Sequence, residues 1–172
     1  WPPVAPARPL APGWDLSPGD LAWTADGRSL LATAPQVGNQ ALFRLDIASG
    51  SVQALVARRT NSSPQPLADG SVLFAQDSLV APAELFRLAP GAAEPTPVTR
   101  RNAERLAALS FGAYRQFSFT GAHGDEVFGY LVEPVDRDPG RRYPLAFLIH
   151  GGPQGSFGNH WHYRWNPQVY AA

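Results

Sequence analysis

The chain has 172 residues, 44% of them hydrophobic, with 14 basic and 14 acidic side chains and no net charge. That length suffices for one ordinary domain with a core, and the balanced charge leaves no electrostatic footprint for nucleic acid or an anionic membrane surface. Cysteine and methionine are absent and every basic residue is arginine, which excludes thiol nucleophiles, disulfides, cysteine-ligated zinc, Schiff-base lysines and a P-loop lysine.

The amino terminus, Trp1-Pro2-Pro3-Val4-Ala5-Pro6, has no start methionine and no basic region leading into an apolar stretch, so it reads as the interior of a longer protein. The 18 prolines and 16 glycines, with arginine throughout in place of lysine, fit a base-composition bias better than disorder. The longest uninterrupted apolar run, Leu145 to Ile149, falls far short of the roughly 20 residues a membrane span needs. A soluble chain is expected, with a cytoplasmic location favoured over a periplasmic or secreted one.

The first half repeats itself. Asp26-Gly27-Arg28-Ser29-Leu30-Leu31-Ala32 returns as Asp69-Gly70-Ser71-Val72-Leu73-Phe74-Ala75, and Leu42-Phe43-Arg44-Leu45 returns as Leu85-Phe86-Arg87-Leu88, both pairs 43 residues apart. Each unit carries an Asp-Gly turn, an apolar strand, a polar gap and a second strand. A further turn, at Ser49-Gly50 or Pro90-Gly91, then leads into a third strand. Asp-Gly supplies the positive φ of a tight hairpin, so each unit is predicted to be an antiparallel meander. A period near 43 with about four strands is the signature of a propeller blade. Two chance hairpins in a small sandwich are the plainer alternative, which the shared offset of two separate motifs disfavours. Two blades cannot close a ring, because propellers need about four to eight.

After Leu109 the pattern changes. Gln116 to Thr120 and Val127 to Val132 flank Gly121-Ala122-His123-Gly124-Asp125 and predict a hairpin. A polar linker from Asp136 to Arg142 leads to Tyr143-Pro144 and the run Leu145 to Ile149. Continuous apolarity without alternation is what a strand covered on both faces requires, so an α/β domain is expected to begin here. Asn166-Pro167 supplies an N-cap and a first-turn proline for a helix near the end of the chain.

Directly after the apolar run stands His150-Gly151-Gly152-Pro153-Gln154-Gly155. Glycines at the end of a buried strand let the backbone turn sharply and leave N–H groups aimed outward, where they can stabilise the oxyanion of acyl transfer. The α/β-hydrolases place one such donor in the loop after their third strand, and the run before His150 is the third predicted strand of the second half. Gly-Gly-Pro also suits a plain strand-ending turn. The histidine before it, the strand behind it and the helix start after it favour the oxyanion reading.

Taken together, the repeats, the stretch Asp125 to Pro134, Tyr143-Pro144, Phe147 to Gly155 and Tyr163-Arg164-Trp165-Asn166-Pro167-Gln168 resemble the prolyl oligopeptidase family of serine peptidases. The likeness points to its acylaminoacyl peptidase and dipeptidyl-peptidase V branch. The specific part covers about residues 125 to 168. The resemblance implies β-propeller blades followed by the start of an α/β-hydrolase domain, truncated relative to the family, whose propeller has seven blades. It divides the chain into two C-terminal-type blades over 1–108 and the N-terminal part of the catalytic domain over 109–172. The implied substrates are short peptides, hydrolysed through a Ser, Asp, His triad without a cofactor. The family's oxyanion donor maps to the backbone N–H of Gly152, in a loop shaped by His150, Gly151 and Pro153.

No G-x-S-x-G occurs in the chain, so the resemblance places all three triad residues beyond Ala172, on the same polypeptide or a companion chain. The 172 residues alone are expected to be inactive. A noncatalytic, propeller-derived peptide-binding or scaffold fragment is the alternative. A simple esterase or lipase shares His-Gly-Gly loops but lacks the blades. A homo-oligomer is left open.

Four further groups of residues invite a role. His160 and His162, with His150, have the residue types of a three-histidine metal site, but no carboxylate lies near them in sequence and no metal is expected. Phe157, Trp161, Tyr163 and Trp165 crowd the stretch after the loop. Packing is their expected role, with Trp161 and then Phe157 the candidates for a substrate-binding wall. Arg100-Arg101, Arg105 and Arg141-Arg142 read as solvated element boundaries. Asp125-Glu126 and Asp136-Arg137-Asp138 read as loop charges.

Overall fold

A computed structural model describes residues 6–152 and 155–172; the terminal Trp1–Ala5 stretch lies outside them. The first half forms two four-stranded antiparallel meanders. The first contains β1 (Leu21–Trp23), β2 (Ser29–Gln36), β3 (Asn39–Asp46) and β4 (Val52–Val56); the second contains β5 (Thr60–Pro66), β6 (Val72–Ser78), β7 (Ala81–Leu88) and β8 (Thr96–Pro97). The 43-residue repeat thus reappears as a repeat of elements, each unit gaining one strand ahead of its Asp-Gly turn. Both turns are built alike. Gly27 and Gly70 take φ of 66° and 81°, and Asp26 and Asp69 accept the backbone N–H groups of Arg28 and Ser71. Only glycine reaches that conformation without a steric penalty.

Alternation along β2 and β3 feeds two cores. Leu31 and Leu42 join Val56, Val72, Phe74 and Leu88 in a cluster shared by both meanders. Their sequence neighbours Ala32 and Phe43 point the other way, into a cluster with Ala34, Ala41 and Leu45, as a period of two dictates. The proline-rich segment before β1 covers that second face through Leu10, Leu16 and Trp14, whose ring meets Phe43 edge-on at 5.1 Å. Among the described residues the meanders join at one parallel bridge, Gln40 to Thr60. The sheet stays open.

In the second half α1 (Ala103–Ala107) docks on β7 through Glu84, whose carboxylate accepts Asn102 N–H at 2.8 Å and the Thr99 hydroxyl. The Thr99 bond, with help from Asn102, holds this carboxyl below its ordinary range. The predicted hairpin is β9 (Tyr114–Thr120) with β10 (Glu126–Val132), closed by a short 3-10 turn at Ala122–Gly124. It leans on the β2–β3 turn. Gln116 Nε2 donates to Val37 O at 2.7 Å, and Tyr130 packs on Gly38. Burial pushes the Tyr130 phenol upward, so it remains a donor. Gly38 has φ of 71°, and a Cβ there would lie 2.9 Å from the Tyr130 ring. Gly38→Ala is therefore expected to cost about 2 kcal/mol, read as a lower urea midpoint, by adding strain to overlap; an unchanged midpoint would mean the turn yields freely.

At the other end of the hairpin α2 (Gln168–Ala171) is anchored by the buried Gln168, which exchanges two hydrogen bonds with the backbone of Gly112, at 2.8 and 3.0 Å. The expected start signal operates: Asn166 Oδ1 accepts Gln168 N–H at 3.0 Å, and Pro167 already has helical φ and ψ.

One expectation needs correction. The run Leu145 to Ile149 belongs to no strand, and Leu145, Phe147 and Ile149 are 72–80% exposed. A strand exists only through its neighbours: it needs ladder partners for its N–H and C=O groups and layers for its two faces. Among the described residues nothing supplies them, so the α/β layering expected from this run is not formed.

Candidate active site

The Gly-Gly turn follows that exposed run. Gly152 has φ of 76°, which permits the sharp reversal, while Gly151 does not enter the left-handed region. Both are exposed, and a Cβ on either would meet nothing within 4 Å. Among the described residues neither N–H donates to another group. His150 stands beside the turn, its ring 6.3 Å from that of Phe157 in an edge-on contact. Pro153 lies outside the described residues.

Downstream the chain is held firmly. Asn159 is buried and bonds the sheet body four ways. Its N–H donates to Gly38 O at 2.7 Å, its carbonyl accepts the Thr60 hydroxyl at 3.0 Å, its Oδ1 accepts Leu79 N–H at 3.2 Å, and its Nδ2 reaches Asn39 Oδ1 at 3.4 Å. Next along the chain, Asp77 Oδ1 accepts Trp161 N–H at 2.7 Å and faces His160 Nδ1 at 2.9 Å. A carboxylate 83 residues away therefore meets the histidine pair that looked unaccompanied in sequence.

Between the second meander and this segment opens a cleft of about 590 Å³, lined by Asp77, Ala83 and residues 160 to 164. Trp161 forms part of its wall, and its ring also meets Phe111 edge-on at 6.4 Å. Its indole N–H is buried and has no partner among the described residues. Phe157 sits apart, against His150. The two aromatic candidates do not share a pocket.

The histidines are occupied in local structure. His162 Nδ1 accepts the N–H groups of Arg164 and Trp165, at 3.1 and 2.9 Å, which places its proton on Nε2. His160 and His162 lie ring to ring at 6.2 Å, whereas His150 contacts Phe157. Among the described residues no three ligand-type side chains come together as a metal site.

Sequence reasoning missed Asp77, Thr60 and Asn159. One signal was present: the 43-residue offset sets Asp77 opposite Ala34, a polar residue where the repeat calls for a small apolar one.

No family model matches the chain. Curated proteins do, over almost its full length. Dipeptidyl-peptidase 5 of Schizosaccharomyces pombe is 31% identical over 165 residues, 94% of this chain and 24% of its own length. Dipeptidyl-peptidase 5 of Arthroderma otae is 34% identical, and that of Trichophyton equinum 35%, each over 172 residues covering 96% of this chain and 23% of theirs. These relatives bear out the resemblance to peptidases of the prolyl oligopeptidase family for a partial segment. The chain spans about a quarter of their length.

Solved structures show the same fold. An acylaminoacyl peptidase in complex with Z-Gly-Gly-Phe-chloromethyl ketone superposes with a TM-score of 0.76 at 20% identity, over 93% of this chain and 24% of its own. Porphyromonas gingivalis dipeptidyl peptidase 4 gives 0.68 at 18% identity, over 96% and 24%. The likeness to the dipeptidyl peptidases rests on sequence, and the solved structures, at 18–20% identity, share the fold. No helix among the described residues is long and apolar enough to cross a membrane.

Proposed function

We propose that this chain is part of a serine peptidase that hydrolyses short peptides, releasing dipeptides or acylamino acids. The observation that carries this reading is the identity of 31–35%, over at least 94% of the chain, to enzymes named dipeptidyl-peptidase 5. The two meanders serve as C-terminal-type propeller blades over 1–108. Residues 109–172 begin an α/β-hydrolase domain, in which the exposed run Leu145 to Ile149 pairs with strands from outside this chain.

In that setting the reaction is acyl transfer. A serine outside the chain attacks the scissile carbonyl carbon, a histidine takes the serine proton and later passes it to the leaving amine, and an aspartate orients the histidine. This chain contributes the Gly152 N–H, aimed at the oxygen that gains negative charge as the tetrahedral intermediate forms. His150, Gly151 and Pro153 shape the loop, and Trp161 walls the cleft formed with Asp77 and Ala83. Peptides are the partners; no cofactor takes part.

The test is direct. The protein carrying this chain, incubated with a serine-directed fluorophosphonate, is expected to become covalently labelled and to lose hydrolysis of dipeptidyl and acylaminoacyl chromogenic substrates in proportion. Peptide binding with neither labelling nor hydrolysis would favour the noncatalytic scaffold.

A further inference from the structure

We propose that Asp77 is a positioning residue for the Gly-Gly loop, its carboxylate holding the stretch that follows the loop and thereby the direction of the Gly152 N–H. The inference rests on the peptidase reading above. Asp77 lies where the pairing of β6 with β7 slips, between Gln76 and Ser78. A bulge of this kind re-aims a side chain, and here the carboxylate, 10% exposed, reaches out of the ladder to Trp161 N–H and His160. Its cross-strand partner in β5 is Thr60, whose hydroxyl holds the carbonyl of Asn159. Two side chains facing one another across one ladder thus grip residues 159 to 161 from the same spot on the sheet.

The grip acts over a short tether. Asn159 follows Gly152 by seven residues, so the grip holds the downstream side of the loop, opposite the run Leu145 to Ile149 that leads into it. A carboxylate accepting a backbone N–H makes a charge-assisted bond, stronger than a neutral one, and fixes the peptide it holds. Misplacing a donor by about 1 Å is enough to cost on the order of a hundredfold in rate.

The test uses the full-length protein carrying this chain, with active sites counted by fluorophosphonate labelling. Asp77→Ala is expected to lower kcat per labelled site about tenfold or more. It should weaken inhibition by a dipeptide aldehyde, which forms a tetrahedral oxyanion, by the same factor, and leave inhibition by the product dipeptide unchanged. Asp77→Asn keeps an Oδ1 acceptor for Trp161 N–H and is expected to stay within about threefold of the unmutated protein. Loss of folded protein lowers the number of labelled sites and moves neither ratio. Should Asp77→Ala not fold, Thr60→Val removes the partner hydroxyl at constant shape and is expected to show the same pattern at about threefold. Unchanged kcat per site in these variants, or aldehyde and product affinities falling together, overturns the proposal. An unmutated protein that is neither labelled nor active removes the peptidase reading itself, and this proposal with it.

Discussion

Gly152→Val in the full-length peptidase is expected to lower kcat about a hundredfold, the scale of losing one oxyanion donor, with KM changed far less. Valine is branched at Cβ and cannot hold φ of 76° without strain, so the peptide rotates and its N–H leaves the reacting oxygen. Space is not the obstacle, since a Cβ at Gly152 would meet nothing within 4 Å among the described residues. The fold should therefore survive, with a thermal midpoint close to that of the unmutated protein. Gly151→Ala supplies the comparison. Both glycines lie in the loop, but Gly151 lies outside the left-handed region and its Cβ would also be unobstructed. The alanine variant is thus expected to retain much more activity. Equal kcat for Gly152→Val and the unmutated enzyme would remove Gly152 as the donor.

The second large effect is on stability. Asn61 is fully buried at the seam between the meanders. Its Nδ2 donates to Gln40 O at 2.7 Å and Arg58 O at 3.1 Å, and its Oδ1 accepts Gln76 Nε2 at 2.8 Å. This one amide ties β3 at Gln40 and the turn between β4 and β5 at Arg58 to β6 at Gln76, beside the parallel bridge between β3 and β5. Asn61→Ala strands two carbonyls and an amide, each costing about 1–3 kcal/mol when buried. Partial relaxation brings the expected loss to about 3 kcal/mol in urea unfolding. Asn61→Asp keeps the shape but turns the donor into a carboxylate facing two carbonyl oxygens, and is expected to lose at least as much. A loss below about 1 kcal/mol in both variants would show that water replaces the amide readily.

Much of the architecture was legible because local chemistry and packing agree there. Asp26-Gly27 and Asp69-Gly70 each demand a tight turn whatever surrounds them, and the alternation of Leu31 with Ala32 and of Leu42 with Phe43 requires two buried faces. The 43-residue offset then multiplies one local reading into two. β5 was not legible. Its sequence, Thr60-Asn61-Ser62-Ser63-Pro64-Gln65-Pro66, is polar and carries two prolines, yet it pairs with β6. The prolines fall at or just past a register shift between Ser62 and Gln65, where a missing N–H is tolerated. Asn61, in a stretch without apolar alternation, is a buried joint.

The exposed run Leu145 to Ile149 errs in the opposite direction, since its composition suits a covered strand but composition cannot provide the neighbours. The sequence by itself determined the meander repeat, the hairpin from Tyr114 to Val132, the helix start at Asn166 and the glycine turn after His150. Each depends on residues close together in the chain, whose φ preferences and alternation act before any fold exists. Tertiary structure alone decided that Asp77 and Thr60 hold residues 159 to 161, that Asn61 joins the meanders, and that Trp161 and Phe157 face different surroundings. Those contacts link residues that are mostly 15 to 99 positions apart, and a bulge or a buried amide acquires its partner only once the sheets have packed.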